Sequence, residues 1–190
     1  MKQRGRIELA VFIGLVAVGA SLRVLLSELP NFAPVAAVAL FAGYFFRSRV
    51  VALAVPVSIM LISDTFIGSY DLLLMAVVYG ALASPVLVRG FLRRWLSFDE
   101  RPALASVGLM TCSLGASLFF FFTTNFATWI LFGTYEHTLA GLVHCFTQAI
   151  PFLRYTLTGD LLFATVLFGG YAFASYAARS ASSEPAAITE

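Results

Sequence analysis

Two histidines, His137 and His144, and three separate aspartates, Asp64, Asp71 and Asp160, are the side chains here with the most chemistry to offer. His137, Gly141, His144 and Gln148 recur at i, i+4, i+7 and i+11, which puts them on one face of a helix. Leu139, Leu142, Val143, Phe146 and Ile150 occupy the rest of that helix. Glu136 and Cys145 are also metal-ligand types, but there is no H-x-x-x-H or H-E-x-x-H pair. A seven-residue spacing separates the two imidazoles by roughly 10 Å along a helix, so no metal is expected. Catalytic signatures are missing as well: no G-x-S-x-G, no Walker A, and at Gly159-Asp160 no second glycine of the G-x-G-D motif. The sequence therefore gives no reason to expect an enzyme or a cofactor. Without an ATP-binding element, active transport would draw on a partner or an ion gradient, and the three aspartates keep ion coupling open.

The elements that must position these groups are apolar. Of 190 residues, 60% are hydrophobic and 12% charged, about half the charge of an ordinary soluble domain. Mean hydropathy is +0.90. Such a surface would aggregate in water, so lipid is the expected solvent and the bilayer the first partner. A span needs roughly 20 apolar residues. Six candidates satisfy or approach this: 9–29, 32–46, 50–63, 72–90, 103–123 and 156–178. An all-α six-helix transmembrane bundle over 1–179 follows, with a disordered polar tail at 180–190. No Lys/Arg-rich patch of the nucleic-acid kind occurs. Cys112 and Cys145 lack C-x-x-C spacing and imply neither zinc nor a disulfide. Lys2, Arg4 and Arg6 before an apolar run ending Val18-Gly19-Ala20 have the form of a secretory signal. The run continues past Arg23 through Val24, Leu25 and Leu26, so an uncleaved first span is expected.

Basic residues orient the bundle. With the N-terminus inside, Lys2, Arg4, Arg6, Arg47, Arg49, Arg89, Arg93, Arg94, Arg101 and Arg179 are cytoplasmic, ten of the twelve Lys and Arg. Only Arg23 and Arg154 lie toward the outside, and both termini are cytoplasmic. A seventh span at 136–153 would move Arg179 outside, so that segment is read as an outer-loop helix lying on or dipping into the membrane. Polar groups gather at the outer end, where the short second and third spans would leave a recess. Arg23 and Asp160 sit at depths costing roughly 2.5–3.5 kcal/mol per ionised group. An Arg23–Asp160 or Arg23–Asp64 pair across the bundle is one resolution, and direct ligand contact the other. Ala10, Gly14, Ala17 and Ser21 form a small-residue stripe on the first span, suited to packing within the bundle or against a partner helix.

Four motifs resemble an uncharacterised bacterial inner-membrane family classed with transport proteins. They are Pro30-Asn31-Phe32-Ala33-Pro34-Val35-Ala36-Ala37 leading into Leu40-Phe41-Ala42-Gly43, Ile62-Ser63-Asp64 with Gly68-Ser69-Tyr70, Thr124-Asn125-Phe126-Ala127-Thr128-Trp129, and Ala149-Ile150-Pro151-Phe152 with Gly159-Asp160-Leu161. That family is in turn similar, in size and span number, to the substrate-binding S components of energy-coupling factor (ECF) vitamin transporters. The resemblance implies a solute site under the loops after the first, third and fifth spans, which here hold Asn31, residues 64–71 and residues 125–154. It also implies a coupling subunit, driven by two ATPases, docked on Ala10, Gly14 and Ala17.

The leading expectation is thus a transport protein binding a small vitamin-like or nucleobase-like solute in an outward-facing pocket. Phe32, Tyr70, Trp129 and Tyr155 would stack on it, and Asn31, Asp64, Asn125 and Asp160 would orient it. Asp71, His144 and Gln148 complete the candidate set. The alternative is an assembly or scaffolding protein whose polar residues are all satisfied inside the bundle.

Overall fold

The computed structural model describes residues 2–68, 70–95 and 102–182. Among them the chain is all helix, with no strand. The helices are α1 (Lys2–Leu25), α2 (Val35–Phe45), α3 (Arg49–Ile67), α4 (Leu72–Ala83), α5 (Arg89–Trp95), α6 (Pro102–Leu131) and α7 (Leu139–Ser182). A 3-10 turn, Ser84–Val88, joins α4 to α5. Pro85 at its start accounts for the tightening, because proline removes a backbone donor and crowds the preceding turn.

The shortest helix organises the fold. α2 is apolar all round, and Val35 through Gly43 are all buried, as expected of a helix with no polar face. It touches every other helix and the 3-10 turn. One core cluster joins α2 to α1, α3 and the turn through Val38, Ala42, Val55 and Ile59. A second joins it to α5, α6 and α7 through Leu40, Phe41, Leu92 and Phe168. Small side chains set the separations. A Cβ on Gly43 would meet Val86 Cα at 3.2 Å, and one on Gly19 would meet Ile59 Cδ1 at 2.5 Å.

Among the described residues, five helical segments are long and apolar enough to cross a bilayer: Gln3–Leu25, Arg49–Ile67, Leu72–Arg94, Leu104–Leu131 and Leu139–Ser180. α2, at 11 residues, covers only roughly 16 Å. It is a buried centre-piece, so the second span expected at 32–46 is shorter than a crossing. Side chains such as Leu9, Ile13, Phe66, Phe119, Phe122, Val166 and Phe173 point outward. An apolar exterior of this extent fits a membrane-embedded bundle.

Where the sequence suggests an outer-loop helix at 136–153 and a last span at 156–178, the structure has one 44-residue helix, α7. Pro151 lies within it without ending it. At roughly 66 Å, α7 is about twice the hydrocarbon thickness, so part of it stands outside the hydrocarbon or crosses at a steep tilt. α6 packs along it as an antiparallel hairpin, with Phe146 edge-on to Phe121 at 5.5 Å. The fifth span, expected to end at 123, continues to Leu131. Of the expected 180–190 tail, residues up to Ser182 complete α7 and the remainder lie outside the described residues.

Candidate functional site

Arg23, in the last turn of α1, is a largely shielded cation on an apolar helix, and a charge so placed must find a partner. Its Nη1 donates to Asp64 Oδ1, and also to Ser63 Oγ at 2.5 Å. The other carboxylate oxygen, Asp64 Oδ2, accepts from the Tyr79 hydroxyl at 2.5 Å. Ser63 Oγ in turn donates to the Ile59 carbonyl at 2.7 Å. Both oxygens of Asp64 are therefore engaged, and one buried carboxylate ties α1, α3 and α4 together. Of the two pairings open to Arg23, the structure takes Asp64. Tyr70, outside the helices, lies close enough for burial first, and the Asp64 charge second, to push its hydroxyl above the usual tyrosine range.

A second brace joins α6 to α7. Asp160, 3% exposed, accepts from Ser117 Oγ at 2.6 Å. Ser117 also reaches its own helix at the Ser113 carbonyl, 3.1 Å away. Among the described residues no cation pairs with Asp160, so removing it strands no charge. Asp160→Ala should cost only about 1 kcal/mol, the scale of one ordinary hydrogen bond. Equilibrium unfolding in mild detergent measures this.

Of the remaining candidates, Asn31 and Phe32 come together with Tyr70 and Asp160 around one cavity, while Asp71, Asn125, Trp129, His144, Gln148 and Tyr155 do not line it. Asp71 caps α4, accepting from the Leu74 amide at 2.9 Å, which satisfies an orphan donor of the first turn. Asn125 donates back to the Phe121 carbonyl at 2.7 Å within α6. Trp129 donates to the Glu136 carbonyl at 2.9 Å and its ring meets His137 edge-on, at 5.5 Å. His144 lies 3.2 Å from Gln148 and packs on Tyr135. Tyr155 carries the guanidinium of its neighbour Arg154 over its ring. Asn31 turns the chain into α2 with φ of 60°, a left-handed conformation that asparagine tolerates. Phe32 packs on Phe163 and against Gly159. Ala10, Gly14 and Ala17 are all exposed along α1, while Val16, Gly19 and Ala20 are the residues that turn inward. Among the described residues no group of three metal-ligand side chains converges.

The outward-facing solute pocket expected from the sequence is overturned by this arrangement. A cavity of about 350 Å³ does lie near the Asn31 end, lined by Arg23, Asn31, Phe32, Tyr70, Thr156 and Asp160 among apolar neighbours. Asp64 and Asn125, on which solute orientation most depended, are not part of its lining. Asp64 is fully partnered within the bundle and Asn125 is held by its own helix. Asp64 thus belongs to a polar core between helices and Asn125 is committed within α6, so neither supplies a binding surface. Sequence reasoning missed Tyr79 and Ser117, the donors that complete the two braces. Their one signal was a hydroxyl inside an apolar run, which burial obliges to find an acceptor.

A multi-helix, predominantly apolar bundle with internal polar cross-braces is the class this architecture defines. The chain belongs to the Family of unknown function (DUF6580), whose model matches residues 3–183. No curated protein and no solved structure matches, so the comparisons carry no link to S components of ECF transporters.

Proposed function

We propose that this protein is an assembly or scaffolding component of the bacterial inner membrane, a multi-pass bundle whose polar residues serve its own rigidity. The observation behind this reading is the Arg23–Asp64–Tyr79 network, which commits the most buried ion pair to joining three helices. In this reading α1, α2, α3, the α4–α5 unit, α6 and α7 alternate in direction, so both termini lie on the same side. The basic ends of the helices make that side cytoplasmic. The exposed Ala10–Gly14–Ala17 face is where another transmembrane helix would come close, since small residues admit close backbone approach.

Photo-crosslinking in native membranes tests the reading. A photoreactive residue at Ala17 should give discrete protein adducts, while one at Phe173, on the exposed face of α7, should give none. Lipid-only adducts at both positions would refute an assembly role through α1.

A further inference from the structure

The end of the bundle opposite the Arg23 network carries a second concentration of charge. Arg89 Nη2 donates to the Arg47 carbonyl at 2.7 Å and to the Phe46 carbonyl at 3.2 Å. Arg93 Nε donates to the Tyr44 carbonyl at 3.0 Å, and its Nη2 to the Phe46 carbonyl. These two side chains cap the negative end of α2, where cations are favoured. Carbonyl oxygens satisfy donors but carry no formal charge, so the guanidinium charges are not neutralised by them.

Arg47 and Arg49 join Arg89 and Arg93 around a cavity of about 450 Å³, completed by Leu53, Val86, Leu87 and Gly90. Arg93 also lies within electrostatic reach of Arg4. Among the described residues the ion pairs are Arg4–Glu8 and Arg23–Asp64, and no carboxylate pairs with any of these four arginines. Arg89 is 9% exposed, and its Nη1 is buried without an acceptor. A buried guanidinium nitrogen left without a partner is costly. Four like charges around one cavity add mutual repulsion. Both costs are removed by the same event, the seating of an anion.

We propose that this cavity binds a phosphate group, presented by the headgroup of an acidic phospholipid. Guanidinium groups match phosphate oxygens in geometry and charge. The apolar part of the rim extends to Leu87 and the neighbouring Val50, which are 74% and 77% exposed. A lipid can thus set its headgroup among the arginines and lay a chain along apolar surface. Basic pockets between helices on the cytoplasmic side suit such headgroups. The inference depends on the membrane-embedded fold and is independent of the assembly role.

The test uses the full chain in a neutral detergent, with native mass spectrometry and thermal unfolding as readouts. The probes are phosphatidylglycerol, phosphatidylcholine and inorganic phosphate. The variant is R47Q/R49Q, chosen because the bonds that cap α2 are donated by Arg89 and Arg93 and not by these two side chains. R154Q, far along the chain on α7, is the control. Phosphatidylglycerol should bind at least tenfold more tightly than phosphatidylcholine and raise the melting temperature. R47Q/R49Q should lose roughly five-fold in affinity per arginine removed, while R154Q loses nothing. Inorganic phosphate reproducing the stabilisation, with the same loss in R47Q/R49Q, would support the phosphate site and assign free phosphate as its source. Equal binding of both lipids without a phosphate effect, or unchanged affinity in R47Q/R49Q, would overturn the proposal.

Discussion

Asp64→Ala is expected to destabilise the protein by about 3–5 kcal/mol, the cost of breaking a buried ion pair by removing one partner. The pair is well shielded, with Arg23 and Asp64 side chains 15% and 6% exposed. Removing the carboxylate leaves Arg23 with Ser63 alone and leaves the Tyr79 hydroxyl without its acceptor. The first is a largely shielded charge beside the cavity and the second a half-buried donor, and both penalties act together. Equilibrium unfolding of the detergent-solubilised protein reads the effect. A site built for a solute behaves otherwise, because its residues can be removed from a bundle that still folds.

Gly43→Leu is the second large effect, at about 1–3 kcal/mol or more from overpacking. Its Cβ would stand 3.2 Å from Val86 Cα and 3.3 Å from the Val86 carbonyl oxygen. Both are backbone atoms, unable to rotate aside as a side chain does, so relief requires α2 to move away from the 3-10 turn. Since α2 contacts every other helix, such a movement disturbs the whole core. Gly14→Leu supplies the contrast. Nothing lies within 4 Å of a Cβ placed there, so the melting temperature should stay near that of the parent. Under the proposed assembly role, Gly14→Leu should still suppress the Ala17 adducts by blocking close helix approach. Loss of fold in Gly14→Leu would contradict the exposed placement of the α1 stripe.

Much of the helix inventory was legible in the sequence, since long apolar runs leave few choices in lipid. The exceptions have physical causes. The run 32–46 reads as a short span, yet its helix, Val35–Phe45, has no polar face and is better suited to the centre of a bundle. The separation of 136–153 from 156–178 rests on the distribution of basic residues, since a seventh span would move Arg179 outside. No glycine or asparagine stands there to end a helix, and α7 runs through. Charge balance constrains which segments cross a membrane, not whether two neighbouring segments share one continuous helix. Arg23 announced its need for a partner and Asp64 was among the named choices. Tyr79 was silent, because a hydroxyl 15 residues beyond Asp64 carries no periodicity that links the two. Fine interhelical pairing depends on rotation and depth of each helix, which apolar composition leaves undetermined.

The most direct trial of the account is complete apolar replacement of the network in R23M/D64L/Y79F, followed by unfolding and Ala17 crosslinking. Well-packed apolar substitutes for a buried ion pair are often neutral or stabilising. The triple variant should therefore recover most of the stability lost in Asp64→Ala and keep the Ala17 adducts. A variant that regains stability but loses the adducts would contradict the account, because these polar groups would then be acting beyond the bundle they brace.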